Sequence, residues 1–389
     1  MSERRSVWNA IALVATLGLA AVVAAVAVTR SSRETPAPSP SPSATSPSPT
    51  VSASPVGLVG DGPYVVYAYS GAVFAYDIAS GSTTPLGGLD AAPADERSRQ
   101  PGGGRVVAFP THGGSIWWVK RIGMVRIGEI SNDAGDAFEG SAVSPDDRRM
   151  AVGALAPDLA TVVVDLESGH PTVLARSHRD QYPPEALLPV AWSLGGGLIY
   201  EIPYCQCGGG TPGIYSLDAG TGASTLVDGT RTTALFRFVV TASGQSLFYG
   251  QGTPRHCRPD EEGPCEGPPF YLKRLAAGQR GPETLQRATD ARYIPDTISQ
   301  DGRLLLVTRV DPASGATRTE LYSSSGAPLP PIRGIPSVAT PVALLPNDVV
   351  VGTTQNPWSI VVVRGGRAET IVRTSASTGN PPVYLGWLR

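Results

Sequence analysis

From residue 57 onward the chain repeats one unit. Its clearest copies are Ser144-Pro145-Asp146-Asp147-Arg148 before Met150-Ala151-Val152, and Ser299-Gln300-Asp301-Gly302-Arg303 before Leu304-Leu305-Leu306-Val307. Two more are Ala191-Trp192-Ser193-Leu194-Gly195-Gly196 before Leu198-Ile199-Tyr200, and Thr241-Ala242-Ser243-Gly244 before Ser246-Leu247-Phe248-Tyr249. Weaker copies open at Gly60-Asp61-Gly62, Gly102-Gly103-Gly104 and Pro346-Asn347-Asp348. A second β-rich run follows each, among them Val73–Asp77, Ile116–Val119, Val162–Asp165, Ile214–Asp218, Glu320–Tyr322 and Ile360–Val363. Several of these lead through Ser80-Gly81, Ser168-Gly169 or Thr221-Gly222 into a further short strand. Asp-Gly and Gly-Gly turns supply the positive φ that a hairpin needs.

The seven markers run from Asp61 to Asp348 at intervals of about 48 residues. Four strands per period of roughly 40–50 residues is the spacing of a β-propeller blade. A β-sandwich would not repeat the same four-strand unit seven times, and a parallel solenoid has a shorter period. The fold class is therefore all-β: a β-propeller of seven four-stranded blades over 57–389, with six or eight as the alternatives. Composition agrees, since 45 Gly and 37 Pro with only 16% charged residues suit a turn-rich sheet protein better than a helical bundle.

Pro189-Val190-Ala191-Trp192-Ser193 through Ile199-Tyr200, and Ser144-Pro145-Asp146-Asp147 through Ala151-Val152, resemble the WD40-like repeat of TolB-type propellers. The repeat of that family reads Trp-Ser-Pro-Asp-Gly between the innermost strand and the next. The resemblance implies the fold and leaves the function open, because the motif encodes a turn. The same template fits Pro382-Val383-Tyr384-Leu385-Gly386-Trp387-Leu388. The first blade has little strand ahead of Gly60, so the C-terminal strand is expected to complete it and close the ring.

Ahead of the repeat lies a charge-free run, Ser6 to Thr29. As a helix it would be about 36 Å long, enough for a hydrocarbon core of roughly 30 Å. Residues 7–29 are read as an uncleaved transmembrane anchor after a short cytoplasmic tail, 1–6; the run is longer than a signal-peptide core of about 7–15 residues. No Cys follows it, which sets aside a lipoprotein anchor. Residues 30–56, rich in Pro, Ser and Thr, read as an extended stalk. Arg4 and Arg5 before the span nearly balance Arg30 and Arg33 after it, so the stalk decides the orientation: single-pass in the plasma membrane, with the propeller extracellular. Of 31 basic residues only Lys120 and Lys273 are Lys, the coding bias of a high-GC Gram-positive bacterium.

Cys205, Cys207, Cys257 and Cys265 fall in the variable gaps of two neighbouring blades. In an exported domain they read as two disulfides, with cross-loop pairing favoured and the connectivity open. A zinc site is the rival, but Cys-x-Cys with a distant Cys-x7-Cys is not a zinc spacing. The four His lie in no metal-helix motif, and there is no Gly-x-Ser-x-Gly elbow, phosphate loop or dinucleotide fingerprint. No catalytic, cofactor-binding or metal-ligating residue is assigned, and no cofactor. Asn132-Asp133-Ala134-Gly135-Asp136 misses calcium-loop spacing, and Asp260-Glu261-Glu262 reads as a charged loop tip. Tyr204 and Trp358 stand at loop edges.

A net charge of −2 argues against a nucleic-acid binder, which needs a basic surface to neutralise phosphates. The expectation is a non-catalytic binding scaffold for a protein or cell-envelope polymer. The alternative is a propeller enzyme, a lactonase or glycan-active hydrolase or lyase with its site in the central channel.

Overall fold

The computed structural model describes residues 57–58, 62–94, 107–130, 138–154, 159–177, 187–193, 196–203, 213–230, 238–241, 245–255, 266–276, 281–374 and 381–389. The span at 7–29 and the stalk at 30–56 lie outside them. Among the described residues no helix is long and apolar enough to cross a membrane.

Seven antiparallel sheets succeed one another along the chain. Blade 1 is Tyr64–Tyr69, Ala72–Asp77 and Thr83–Gly88, with Val383–Leu388 on its inner side. Blade 2 is Val107–Pro110, Ser115–Lys120 and Gly123–Glu129, and a bridge from Pro93 to Thr111 continues it inward. Blade 3 is Phe138–Val143, Arg149–Ala154, Leu159–Asp165 and Pro171–Ser177; blade 4 is Leu187–Trp192, Leu198–Pro203, Tyr215–Asp218 and Ser224–Leu226. Blade 5 is Phe238–Val240, Ser246–Pro254, Glu266–Ala276 and Glu283–Ala288. Blade 6 is Arg292–Ile298, Leu304–Val310, Thr317–Ser323 and Pro328–Leu329; blade 7 is Thr340–Leu345, Val349–Gln355, Trp358–Arg364 and Arg367–Arg373.

The inner and second strands are buried on both faces, so they read as apolar runs rather than as alternation. In Tyr64–Tyr69, Val65 and Tyr67 pack with Val351 and Val362 of blade 7, while Val66 and Ala68 pack with Val107 and Phe109 of blade 2. The period of two survives as the choice of neighbouring blade. The inner strand carries a one-residue irregularity against the second in blades 1, 3, 4, 6 and 7, at Leu385, Gly140, Val190, Asp296 and Val342.

The repeated marker is the turn from inner to second strand. Ser144 Oγ donates to Asp146 Oδ1 at 2.5 Å and accepts the Arg149 N–H at 2.9 Å. Ser299 does the same with Asp301 (2.6 Å) and Leu304 N–H (2.9 Å). Ser193 accepts Leu198 N–H, and Thr241 accepts Ser246 N–H. The last turn residue has left-handed backbone, Asp147 at φ 59° and Gly302 at φ 72°, the conformation for which Gly is cheapest. The third-to-outer turns repeat a second device. Asp77, Asp165 and Asp218 each accept the N–H of the residue two ahead, and each takes a hydroxyl from Ser80, Ser168 or Thr221. Trp192 joins blades: its Nε1 donates to Ala142 O at 2.7 Å, and the Arg149 guanidinium lies 4.8 Å over its ring.

Among the described residues these turns lie at one end of their sheets, which we term the turn face; one further copy of the second device, Asp311 with the Ala313 N–H and the Ser314 hydroxyl, closes the second-to-third turn of blade 6 at the other end. Arg149 to Gly196 O, and Arg274 to Ser324 O, tie that face between blades. The second-to-third loops and the blade-to-blade connections lie at the other end, the loop face. Replacing Ser144 or Ser299 with Ala strands a backbone N–H and a carboxylate, and should cost about 1–2 kcal/mol each. Exposed Glu167→Ala should leave the melt unchanged in the same calorimetric comparison.

Candidate functional site

Outside the closed turns the buried acids among the described residues, Glu201, Glu266 and Asp296, lie in blades 4, 5 and 6. In the second strand of blade 4 Glu201 interrupts the apolar run Leu198-Ile199-Tyr200. It stands opposite Pro189 on the inner strand and Tyr215 on the third. Its side chain is 1% exposed, and Thr161 Oγ1 of blade 3 donates to its Oε1 at 2.6 Å. Burial pushes the carboxyl up to about 7, against the opposing pull of the Thr161 hydrogen bond. At the matching register blades 3, 6, 7 and 1 carry Gly153, Val307, Gly352 and Tyr67, groups that need no charge compensation.

Blade 5 contributes Glu266, the first residue of its third strand. Its Oε1 accepts the Gly252 N–H at 3.2 Å, and its carbonyl accepts from Arg255 Nε at 3.1 Å. A Cβ at position 252 would stand 2.8 Å from the Glu266 side chain, so only glycine lets the hairpin close over this carboxylate. Blade 6 contributes Asp296, 3% exposed, on the inner strand at its irregularity; Thr308 Oγ1 donates to Oδ2 at 2.6 Å.

Above Asp296 the loop end of blade 6 holds an ionic mesh. Arg309 lies 3.4 Å from both Asp290 and Glu320, and Arg318 lies 2.6 Å from Glu320. The Tyr322 hydroxyl donates to Glu320. Burial, reinforced by Glu320, raises the Tyr322 phenol, so it stays protonated and a donor. Arg309 stacks 5.5 Å over Tyr293, and Arg292 lies 5.3 Å over Phe270 of blade 5. Guanidiniums held over rings, with carboxylates alongside, form a surface able to bind polar ligands of either sign.

Neither a protein-family profile nor a curated protein matches this sequence. Solved structures do. An oligogalacturonate lyase in complex with manganese aligns over 79% of this chain and 83% of its own, at 9% identity and a TM-score of 0.50. TolB from Acinetobacter baumannii aligns over 85% of this chain and 80% of its own, at 13% identity and a TM-score of 0.46. The chain is a seven-bladed β-propeller. At these identities the fold is what is shared.

Within this propeller the cysteines expected to pair, Cys205, Cys207, Cys257 and Cys265, lie outside the described residues. So do Tyr204, the acidic stretches 132–136 and 260–262, and the Gly102–Gly104 marker. Trp358 opens the third strand of blade 7, half-buried, and its carbonyl accepts the Thr374 N–H at 2.9 Å. His112 caps the short second-to-third turn of blade 2, its N–H donating to Ala92 O. Among the described residues no three His, Cys, Asp or Glu side chains converge on a metal-binding geometry. Sequence reasoning passed over Glu201, Glu266, Asp296 and the blade 6 mesh. The available signal was a lone acid inside an apolar strand run, as at Glu201.

Proposed function

We propose that this propeller is a non-catalytic binding module, held outside the plasma membrane by the span at 7–29 and the stalk at 30–56. It takes a protein or a cell-envelope polymer through its loop face. The contrast between the two faces carries this reading. On the turn face the repeated Ser, Thr and Asp side chains are consumed by their own turns. On the loop face the blades differ from one another. Blade 5 extends strands of 9 and 11 residues, against 6 or 7 in the matching strands of blades 1, 3, 6 and 7. Blade 6 presents the Arg309–Glu320 mesh beside it.

Photo-crosslinking in intact cells tests the proposal. The full chain would carry p-benzoylphenylalanine at Thr253 or Ala313 on the loop face, or at Arg303 or Ser325 on the turn face. All four positions are exposed. A saturable adduct from the loop-face positions alone is the expected result. Adducts from the turn face alone, or from neither face, would overturn it.

A second reading has one observation in its favour: Glu201 has the protonation range of a general acid. Under it the propeller is a lactonase or a glycan-active hydrolase or lyase. A hydrolase screen yielding an activity abolished by Glu201→Gln would favour this reading over the first.

A further inference from the structure

The large apolar side chains left exposed among the described residues are Ile122, Val125, Val173, Leu198 and Val338. Two of them lie together. Ile122 (75% exposed) is the tip of the third-to-outer turn of blade 2. Val125 (51%) sits on the outer strand of that blade, directly opposite Trp118. Trp118 packs against the core shared by blades 2 and 3, so Val125 faces blade 3. Ile122, Val125 and the half-buried Trp118 therefore form one exposed apolar edge that ends in the turn tip.

Cations flank it. Lys120 Nζ lies 3.0 Å over the Trp118 ring, and the Arg121 guanidinium lies 5.6 Å over Tyr64. Arg126 is paired with Glu129 at 2.5 Å. Neither Lys120 nor Arg121 forms an ion pair among the described residues. The place is also where the chain comes into the propeller: the Leu58 N–H donates to Arg121 O at 2.7 Å.

We infer that the blade 2 turn Lys120–Gly123, with Val125, docks the propeller on the anionic bilayer that its own N-terminal span occupies. An apolar tip, a Trp at its base and basic residues around it are the chemistry of an interfacial anchor. Lysine and arginine next to a bilayer select anionic headgroups. The inference rests on reading residues 7–29 as a membrane span, which raises the local lipid concentration for a weak second contact. Docking by this turn-face edge leaves the loop face directed away from the lipid.

The test uses the full chain reconstituted in phosphatidylcholine vesicles with and without phosphatidylglycerol. Ile122→p-benzoylphenylalanine is compared with the same substitution at Val338, an equally exposed apolar residue (71%) in the connection between blades 6 and 7. Expected is a lipid adduct at position 122, well above that at 338, which falls about fivefold without phosphatidylglycerol or in high salt. Lys120→Glu with Arg121→Glu should give the same fall, while the salt and lipid arms read the effect without altering the fold. Equal labelling at 122 and 338, indifference to phosphatidylglycerol, or a protein adduct at 122 would each overturn the inference. Carbonate extraction separates the two readings: release of the chain refutes the span. The adduct at 122 would then be read on chain added to preformed vesicles, and its absence there would refute the docking.

Discussion

A chain ending at Pro381 should show no cooperative melting transition. The missing strand, Val383–Leu388, is the inner strand of blade 1 and pairs with Tyr64–Tyr69 along its length. Its side chains serve two blade interfaces. Tyr384 and Trp387 belong to the core between blades 1 and 7, and Leu385 and Leu388 to the core between blades 1 and 2. Leu385, Trp387 and Leu388 are 2% exposed or less. Each such side chain contributes about 1.5–3 kcal/mol on burial. Losing four of them, together with a row of ladder hydrogen bonds, removes an amount comparable to the net stability of a typical domain, about 5–15 kcal/mol. The truncation also opens the ring and bares a strand edge. Circular dichroism melts would read the effect, with Trp387→Ala as a graded control expected to cost about 3–5 kcal/mol and to stay folded. An unchanged melt in the truncated chain would mean that the ring does not depend on this closure.

The closure was legible in the sequence because it rests on a local match: Val383-Tyr384-Leu385-Gly386-Trp387 reads like Val190-Ala191-Trp192, and Gly60 has almost nothing ahead of it. The turns were legible for the same reason. Ser144, Asp146 and Arg149 lie within six residues, so the hydrogen bonds that fix them are written in one short string. The loop-face groups depend on partners that no short string contains. Thr161 lies 40 positions from Glu201, in another blade. Arg309 meets Asp290 on one side and Glu320 on the other. Repetition announces a scaffold because every blade solves the same turn problem. A site departs from the repeat, and a single departure such as Glu201 among Gly153, Val307 and Gly352 is visible only once the register is known.

That departure gives the propeller a pH dependence of its own. The Glu201 carboxyl sits at about 7 in the folded chain, against 4.5 for the ordinary group. The folded state therefore holds its proton more tightly than the unfolded one. Stability from this group is complete below pH 4.5 and is lost as pH rises through about 7. The size follows from the shift, about 3 kcal/mol between the two limits. Other carboxylates act in a different window and with the opposite sign. Backbone N–H donors and Ser168 hold Asp165 below its usual value, Thr221 does so for Asp218, Ser299 for Asp301 and Ser314 for Asp311. Their stability is present above their ordinary value of 3.8 and is lost as pH falls further. Glu201→Gln keeps an oxygen for the Thr161 hydroxyl and removes only the titration. Denaturant melts from pH 4 to pH 9 should then show the wild-type chain weakening across the neutral range, while the variant stays level. By pH 8 the variant should be the more stable by up to about 3 kcal/mol, with the acid limb unchanged in both. Parallel curves for the two chains would place the Glu201 carboxylate in contact with solvent or with a cation, and would remove the main support for a proton-transfer role.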